Sequence, residues 1–537
     1  MKKALRLFMK AYIKPFERVL ALRELAVLAG AEPRATPATA DRPVCYTVST
    51  STPIRRLATS LSYWETVGAK EPTPTLQVMR ESTADVVRNG VTIESIQRLL
   101  PFKSFPALPN RRCLRYGTHG IHEYRGKFFP QLVKALVNIA GVGPGGAVAD
   151  TMCGSGTALV EASLLGCTGI GMDMNPLSVL MTRTKCALLR CSPRILVSNY
   201  MSVRGFLLEP QSRSGGRSLP WLESLDANDQ AYLRNWFSAE VLRDLDGIVT
   251  RLQQIEEPAV RDLMMLSLSN VLRRVSWQKV DDLRVRREIR PDVEIDPVKD
   301  FLEEAGRTVR AVLAFLLQEP KGQKAGDVHV CTGDARRPLD YLSSFAGRTD
   351  VVVTSPPYAT ALPYIDTDRL SLIYLKLLPR SGHRGREIEM IGNREITEER
   401  RRRYWSLFET EKASLPGDVS TLIQTVHGLN EDADVGFRRR NLPALLIRYF
   451  LDMRSVFTGI QRLLRKGAWA YVVVGNNHTI AGGRRIDIRT DVLLSQIAEQ
   501  QGFVLKDRIP MEMLISRDIF RKNAVASESI LCLLRAQ

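Results

Sequence analysis

The sequence predicts an α/β fold, a mostly parallel sheet covered by helices on both faces. Three observations predict it. From about Arg111 onward, short apolar runs ending in Gly, Asp or Asn alternate with helical segments, the pattern of strand–helix–strand units. The composition is 44% hydrophobic and 25% charged, close to the globular average and rich enough for a large buried core. At 537 residues, the chain has room for three or four units of roughly 150 residues, or for one large core with insertions.

The segments follow in order. Residues 1–100 read as a mainly helical N-terminal region, with a Ser/Thr/Pro-rich linker over 34–53. Residues 1–30 are basic and amphipathic, and Arg6, Lys10, Lys14, Glu17, Arg18, Arg23 and Glu24 interrupt every apolar stretch. This suits a surface helix and lacks the unbroken apolar centre of a signal peptide. Residues 101–190 begin the α/β core, with strands at 147–150 and 169–173 and a helix at 157–165. Residues 191–325 are a helical insertion, clearest at 241–255 and 259–275. Residues 326–378 resume the core, with strands at 328–331 and 351–354. An Arg-rich insertion, a candidate for target recognition, spans 379–444. The core ends over 445–537, with strands at 469–475, 503–508 and 529–534. No internal repeat is evident.

Charge and composition narrow the partners. The formal charge of +18 favours a polyanion, either nucleic acid or an anionic membrane surface. No uncharged apolar run of about 18 residues exists, so no transmembrane helix is expected. The eight cysteines, at 45, 113, 153, 167, 186, 191, 331 and 532, form no CxxC pair. Neither a zinc ribbon nor a disulfide framework is expected, and a reducing cytoplasm is the expected compartment. His119 and His122 lie three apart, but no Cys or acidic ligand pattern accompanies them, so no metal site is expected.

Four strand ends carry chemistry. After the first, Asp150-Thr-Met-Cys-Gly-Ser-Gly-Thr157 joins strand to helix. Gly154 and Gly156 permit a tight turn and close approach of a ligand, towards which the helix presents its N–H groups. No Gly-Lys-[Ser/Thr] ending follows, so this is not a P-loop. The second strand ends in Asp173-Met-Asn-Pro176, where an acid is placed to accept hydrogen bonds from ribose hydroxyls. After the third strand, Asp334 is placed to accept from an adenine amino group. Any one of these acids alone reads as a helix cap or turn residue. Together with the glycines they suit an adenosine-containing ligand.

The fourth strand ends in Thr354-Ser355-Pro356-Pro357-Tyr358. Two prolines give a rigid loop without backbone donors. Ser355 Oγ and the Pro356 carbonyl can then accept both N–H bonds of an amino group on a base ring. Tyr358 can stack on the ring, worth about 1–3 kcal/mol. In isolation the segment reads equally as a Pro-Pro turn beside a core tyrosine.

These motifs resemble those of the S-adenosylmethionine-dependent DNA amino-methyltransferases, the N4-cytosine/N6-adenine family. Residues 150–157 resemble its motif I, 173–176 motif II, Gly333-Asp334 motif III and 354–358 motif IV. The Ser-Pro-Pro-Tyr form is more usual in N4-cytosine enzymes. His122-Glu-Tyr-Arg-Gly-Lys-Phe-Phe-Pro130 resembles motif X, which closes over the methionine end of the cofactor, with Arg125 in place of the usual proline. Tyr364-Ile-Asp-x-x-Arg369 resembles the helix after motif IV. The resemblance covers about 101–190, 326–378 and 445–537, in cofactor-first order, and 191–325 is longer than the family's usual connection.

The resemblance implies a Rossmann-like class I methyltransferase with a seven-stranded sheet and S-adenosylmethionine as cofactor. It implies cofactor contacts from Tyr124, Lys127, Phe128, Asp150, Cys153, Gly154, Ser155, Gly156, Thr157, Asp173, Asn175 and Asp334. Ser355, Pro356, Pro357 and Tyr358 would form the catalytic motif, with Cys153 a packing residue and not a nucleophile. Double-stranded DNA with the target base flipped out is the expected substrate, without a membrane partner, and a cognate restriction or defence component is a candidate partner. DNA adenine N6, an RNA base, and a nucleic-acid-binding protein with a degenerate methyltransferase fold are the alternatives. Arginines interleaved with Tyr404-Trp405 suit phosphate contact and stacking. The run Arg400–Arg403 after Glu398-Glu399 reads equally as a solvated helix face.

Overall fold

The computed structural model describes residues 2–36, 44–87, 90–104, 106, 111–124, 126, 128–209, 218–279, 286–289, 294–322, 324–359, 364–431, 436–512 and 527–537. Its N-terminal region is not built of helices alone. Strands β1 (Lys3–Met9), β2 (Arg34–Thr36), β3 (Cys45–Thr50), β4 (Trp64–Gly68) and β5 (Thr73–Pro74) form an antiparallel sheet in the order β2-β3-β1-β4-β5. The expected mainly helical region thus also carries a sheet, and the expected linker over 34–53 is corrected to strands at Arg34–Thr36 and Cys45–Thr50, with 37–43 outside the described residues. In β1, Leu5 and Leu7 are buried while Arg6 is exposed, and in β3 Tyr46, Val48 and Thr50 are buried. That period of two marks half-buried strands, and Ser and Thr occupy the spaces between. The helical character of 1–30 belongs to Pro15–Ala29.

The core sheet comprises β6 (Ala147–Asp150), β7 (Thr168–Asp173), β8 (Val328–Thr332), β9 (Thr349–Thr354), β10 (Leu464–Ala481), β12 (Phe503–Met511) and β13 (Ser527–Arg535), with β11 (Arg484–Ile488) folded back on the end of β10. The order is β12-β13-β10-β9-β6-β7-β8. Pairs from β8 through β10 are parallel, and β13 is antiparallel to both neighbours. This is the expected mostly parallel seven-stranded sheet.

Alternation along the strands sorts side chains between two cores. Val351, Val353, Tyr471, Val473 and Ile530 face helices Pro130–Ile139 and Thr157–Leu164 and the N-terminal sheet. Val352, Ala470, Val472, Leu531 and Leu533 face helices Leu442–Leu463 and Thr490–Gln500. The N-terminal region therefore shares a core with the sheet. Buried polar contacts reinforce this: Lys10 pairs with Glu81 at 2.7 Å, Gln131 donates to Glu81, and Asn138 donates to Glu24.

The first insertion packs its own core. Helices Pro193–Leu208, Ala239–Leu252, Pro258–Val275 and Pro297–Gln318 enclose an apolar cluster that also takes Leu177, Leu180 and Met181 from helix Pro176–Leu188. The second insertion folds as helices Arg380–Glu389, Glu398–Glu411 and Gly417–Glu431. The last two bury Phe408, Val419, Ile423 and Val426 in the cluster that also holds helix Leu442–Leu463.

Candidate active site

Sheet order places the site. From β6 the chain moves outward to β7 and β8, then returns to the other side of β6 as β9. Ligands in open α/β sheets bind at the carboxyl ends of strands where the order reverses in this way. The loops after β6 and β9 meet there: Thr354 Oγ1 donates to Asp150 Oδ1 at 2.6 Å. Met152 N–H also donates to Asp150 Oδ1, at 3.1 Å. Burial pushes the Asp150 carboxyl up to about 7 despite both bonds.

The glycine turn and second strand end form one unit. Asp173 Oδ2 accepts from Gly154 N–H and Oδ1 from Asn175 N–H, both at 2.8 Å, yet burial pushes its pKa up to about 6. Gly154 has φ +49°, and a Cβ there would lie 2.8 Å from the Tyr124 ring. Gly156 has φ +80°, and a Cβ there would strike Thr182. Both glycines are thus required by backbone conformation and by contact. Thr182 Oγ1 donates to Gly154 O, and the buried Lys185 ammonium donates to Ser155 O at 2.8 Å. Gly156 caps helix Thr157–Leu164, whose first residue Thr157 is buried. Cys153 is buried, its N–H donates to Met172 O, and burial drives its thiol pKa far up. A thiol so held protonated is no nucleophile.

Two other expected contacts are engaged within the protein. Asn175 caps helix Pro176–Leu188 through Leu177 N–H, and its Nδ2 donates to Asp368 at 2.8 Å. The Asp334 carboxylate accepts from Arg336 Nε at 3.0 Å and NH2 at 2.6 Å, while Arg336 NH1 reaches Asp452. Burial acts to raise the Asp334 pKa, but Arg336 and its N–H hold it below the usual range. Lys127 and Arg125 lie outside the described residues.

Motif IV meets motif X. Ser355, Tyr358, Phe128, Phe129, Leu132 and Glu528 line a cavity of about 60 Å³. Ser355 Oγ donates to Val473 O at 3.0 Å, and the Tyr358 hydroxyl donates to Glu528 Oε1. Pro356 is buried and Pro357 partly exposed. The cavity is far smaller than the roughly 300–1,000 Å³ of a drug-sized ligand site, so an entering ring must displace side chains. Sequence reading did not single out Glu528, Arg336, Thr182 or Lys185. Their importance comes from packing against the motifs, which no local pattern announces.

His119 and His122 do not converge on an ion. His119 Nε2 bonds Glu161 at 2.8 Å and His122 Nε2 bonds Ser269 at 2.9 Å. No cluster of three metal-ligating side chains exists among the described residues. Nor is any described helix long and apolar enough to cross a membrane.

The basic segments are partly spoken for. Arg274 pairs with Asp300, and Arg401 and Arg402 pair with Glu398. The Trp405 and His427 rings lie 3.7 Å apart, tilted by 37°. Arg403, Arg439 and Arg440 are exposed, as are Arg286 and Arg287. Arg284, Arg290 and the side chain of Arg438 lie outside the description.

The residues present fit an adenosyl cofactor. Gly154 and Gly156 shape the loop, the Asp173 carboxylate beside it suits a ribose diol, and the buried Thr151 hydroxyl has no partner among the described residues. With the sheet order, this arrangement suits an S-adenosylmethionine-dependent methyltransferase, and the similarities of the chain support the same class. The UPF0020 family model, an RMKL-like methyltransferase domain, matches residues 122–190, from motif X through motif II. The chain is 22% identical over 395 residues to the type II methyltransferase M.MvaI of Kocuria varians, covering 71% of this chain and 80% of that one. It is 23% identical over 436 residues to the type II methyltransferase M.BsoBI of Geobacillus stearothermophilus, covering 73% and 81%. It is also 38% identical to a tRNA (guanine(10)-N2)-dimethyltransferase of Methanothermobacter thermautotrophicus, but over only 52 residues, 10% of this chain and 16% of that one.

Proposed function

We propose that the protein methylates the exocyclic amino group of a base in DNA, with cytosine N4 the target. The observation that carries this is Ser355 at the switch point, its hydroxyl fixed on Val473 O and lining a cavity with Phe128 and Tyr358. Bound S-adenosylmethionine would supply an activated methyl group. Asp173 and the Gly154–Gly156 turn would hold its adenosyl part, and Tyr124 and Phe128 its approach to motif IV. Ser355 Oγ and the Pro356 carbonyl would accept the two amino N–H bonds. This turns the nitrogen lone pair out of ring conjugation, so catalysis is mainly positioning. Tyr358 would stack on the base with its hydroxyl kept on Glu528.

Length of likeness favours DNA over RNA. The match to type II methyltransferases runs through both halves of the core, whereas the match to the tRNA enzyme is short. A base in duplex DNA must be flipped to enter, while single-stranded substrate avoids that cost. The test is transfer of labelled methyl to DNA and to RNA, with the product nucleoside identified by mass spectrometry. N4-methylcytosine from DNA is expected. N6-methyladenine would move the target base, and label in RNA alone would overturn the proposal.

A further inference from the structure

The cavity beside Ser355 contains a carboxylate that motif IV does not supply. Glu528 is the second residue of β13 and lies opposite Gly475 on β10, a residue with no side chain to cover it. Two rungs away, Val473 receives the Ser355 hydroxyl, so the Ser355 and Glu528 positions are separated by about 7 Å along the strand. Glu528 Oε1 accepts from the Tyr358 hydroxyl, and both residues line the same cavity as Ser355.

Amino methylation needs a proton acceptor. As the new N–C bond forms, the S–C bond of the sulfonium donor breaks and its electron pair stays on sulfur. The nitrogen is left cationic and must lose one N–H proton. A serine hydroxyl is a poor base, and prolines offer only carbonyls. We propose that Glu528 touches the target amino group and takes this proton, becoming the neutral acid, which then releases it to solvent. This rests on the amino-methyltransfer reading above.

The surroundings suit the task. Burial raises the Glu528 pKa and the Tyr358 bond opposes that rise, which tunes a carboxylate to accept a proton nearer neutral pH. Phe128, Phe129 and Leu132, Val473 of β10 and Met511 of β12 face the same cavity and do not titrate. Tyr358 is the one other titratable side chain lining it among the described residues.

The test uses Glu528→Gln, which keeps an acceptor for Tyr358, in single-turnover methyl transfer to DNA at saturating methyl donor. The rate is expected to fall at least tenfold at neutral pH and to lose its acid limb, with donor and DNA affinity within about threefold of wild type. Tyr358→Phe removes the bond that lowers the Glu528 pKa, so the acid limb should move to higher pH. Infrared difference spectra without donor or DNA should show a titrating carboxyl band that is missing in Glu528→Gln, and that band should titrate higher in Tyr358→Phe. Wild-type rate and pH profile in Glu528→Gln would overturn the role of Glu528 and leave amino methylation standing. A wild-type protein that methylates no nucleic acid would overturn that reading and this proposal with it.

Discussion

Asp173 accepts two backbone N–H bonds and still titrates near 6, because burial outweighs both. The sign follows. Its folded pKa lies above the ordinary aspartate value of about 3.9, so the folded ligand-free protein binds the extra proton between those values. Stability from this group is therefore lost as pH rises from about 4 through 6. Cofactor ribose hydroxyls, in contrast, need the carboxylate. The affinity for S-adenosylmethionine should accordingly weaken as pH falls below about 6, and Asp173→Asn should bind weakly with a flat profile; calorimetry from pH 5 to 8 checks both. Gly154→Ala should also impair donor binding, since its φ of +49° and the Tyr124 ring both exclude a Cβ. Ser355→Ala should behave differently. It should slow transfer by about tenfold, the worth of one hydrogen bond of about 1.4 kcal/mol, while calorimetry finds donor affinity unchanged.

At the scale of elements, the buried ion pair between Lys10, just past β1, and the helix Leu76–Val87 tests how the N-terminal region is held. Lys10 and Glu81 are almost fully buried. Lys10→Met leaves Glu81 without its cation, and unfolding in urea should show a loss of about 3 kcal/mol or more. The elements also show what a sequence reveals. Strand ends after β6, β7, β8 and β9 were legible because Gly, Asp and Pro-Pro stand immediately after short apolar runs. The N-terminal sheet was not. Its strands are short, and Ser and Thr between Tyr46, Val48 and Thr50 imitate a linker. Arg336 was hidden because its partners Asp334 and Asp452 come together only when helix Leu442–Leu463 packs on the loop after β8. Glu528 was hidden for a similar reason, lying 170 residues from Tyr358 in the chain.

For the whole molecule, the charge of +18 predicts binding to DNA that weakens steeply with salt. With roughly 6–10 phosphate contacts, affinity should drop by about 10³–10⁵ between 50 and 200 mM salt. Replacing Arg403 and Arg439 by Ala should lower the slope of log K against log salt by about 1 to 2, measured by fluorescence anisotropy. An unchanged slope would move the phosphate contacts elsewhere. Position in the sheet has another effect, on how the protein is made. β13 lies between β10 and β12 although it is synthesised after both. Until it emerges from the ribosome, the edge of β10 has no partner and β12 has nothing to pair with. At roughly 5–20 residues per second, that delay lasts several seconds. An open apolar edge is a template for other chains, so misassembly during synthesis should concentrate on β10, and slow translation between β10 and β13 would worsen it.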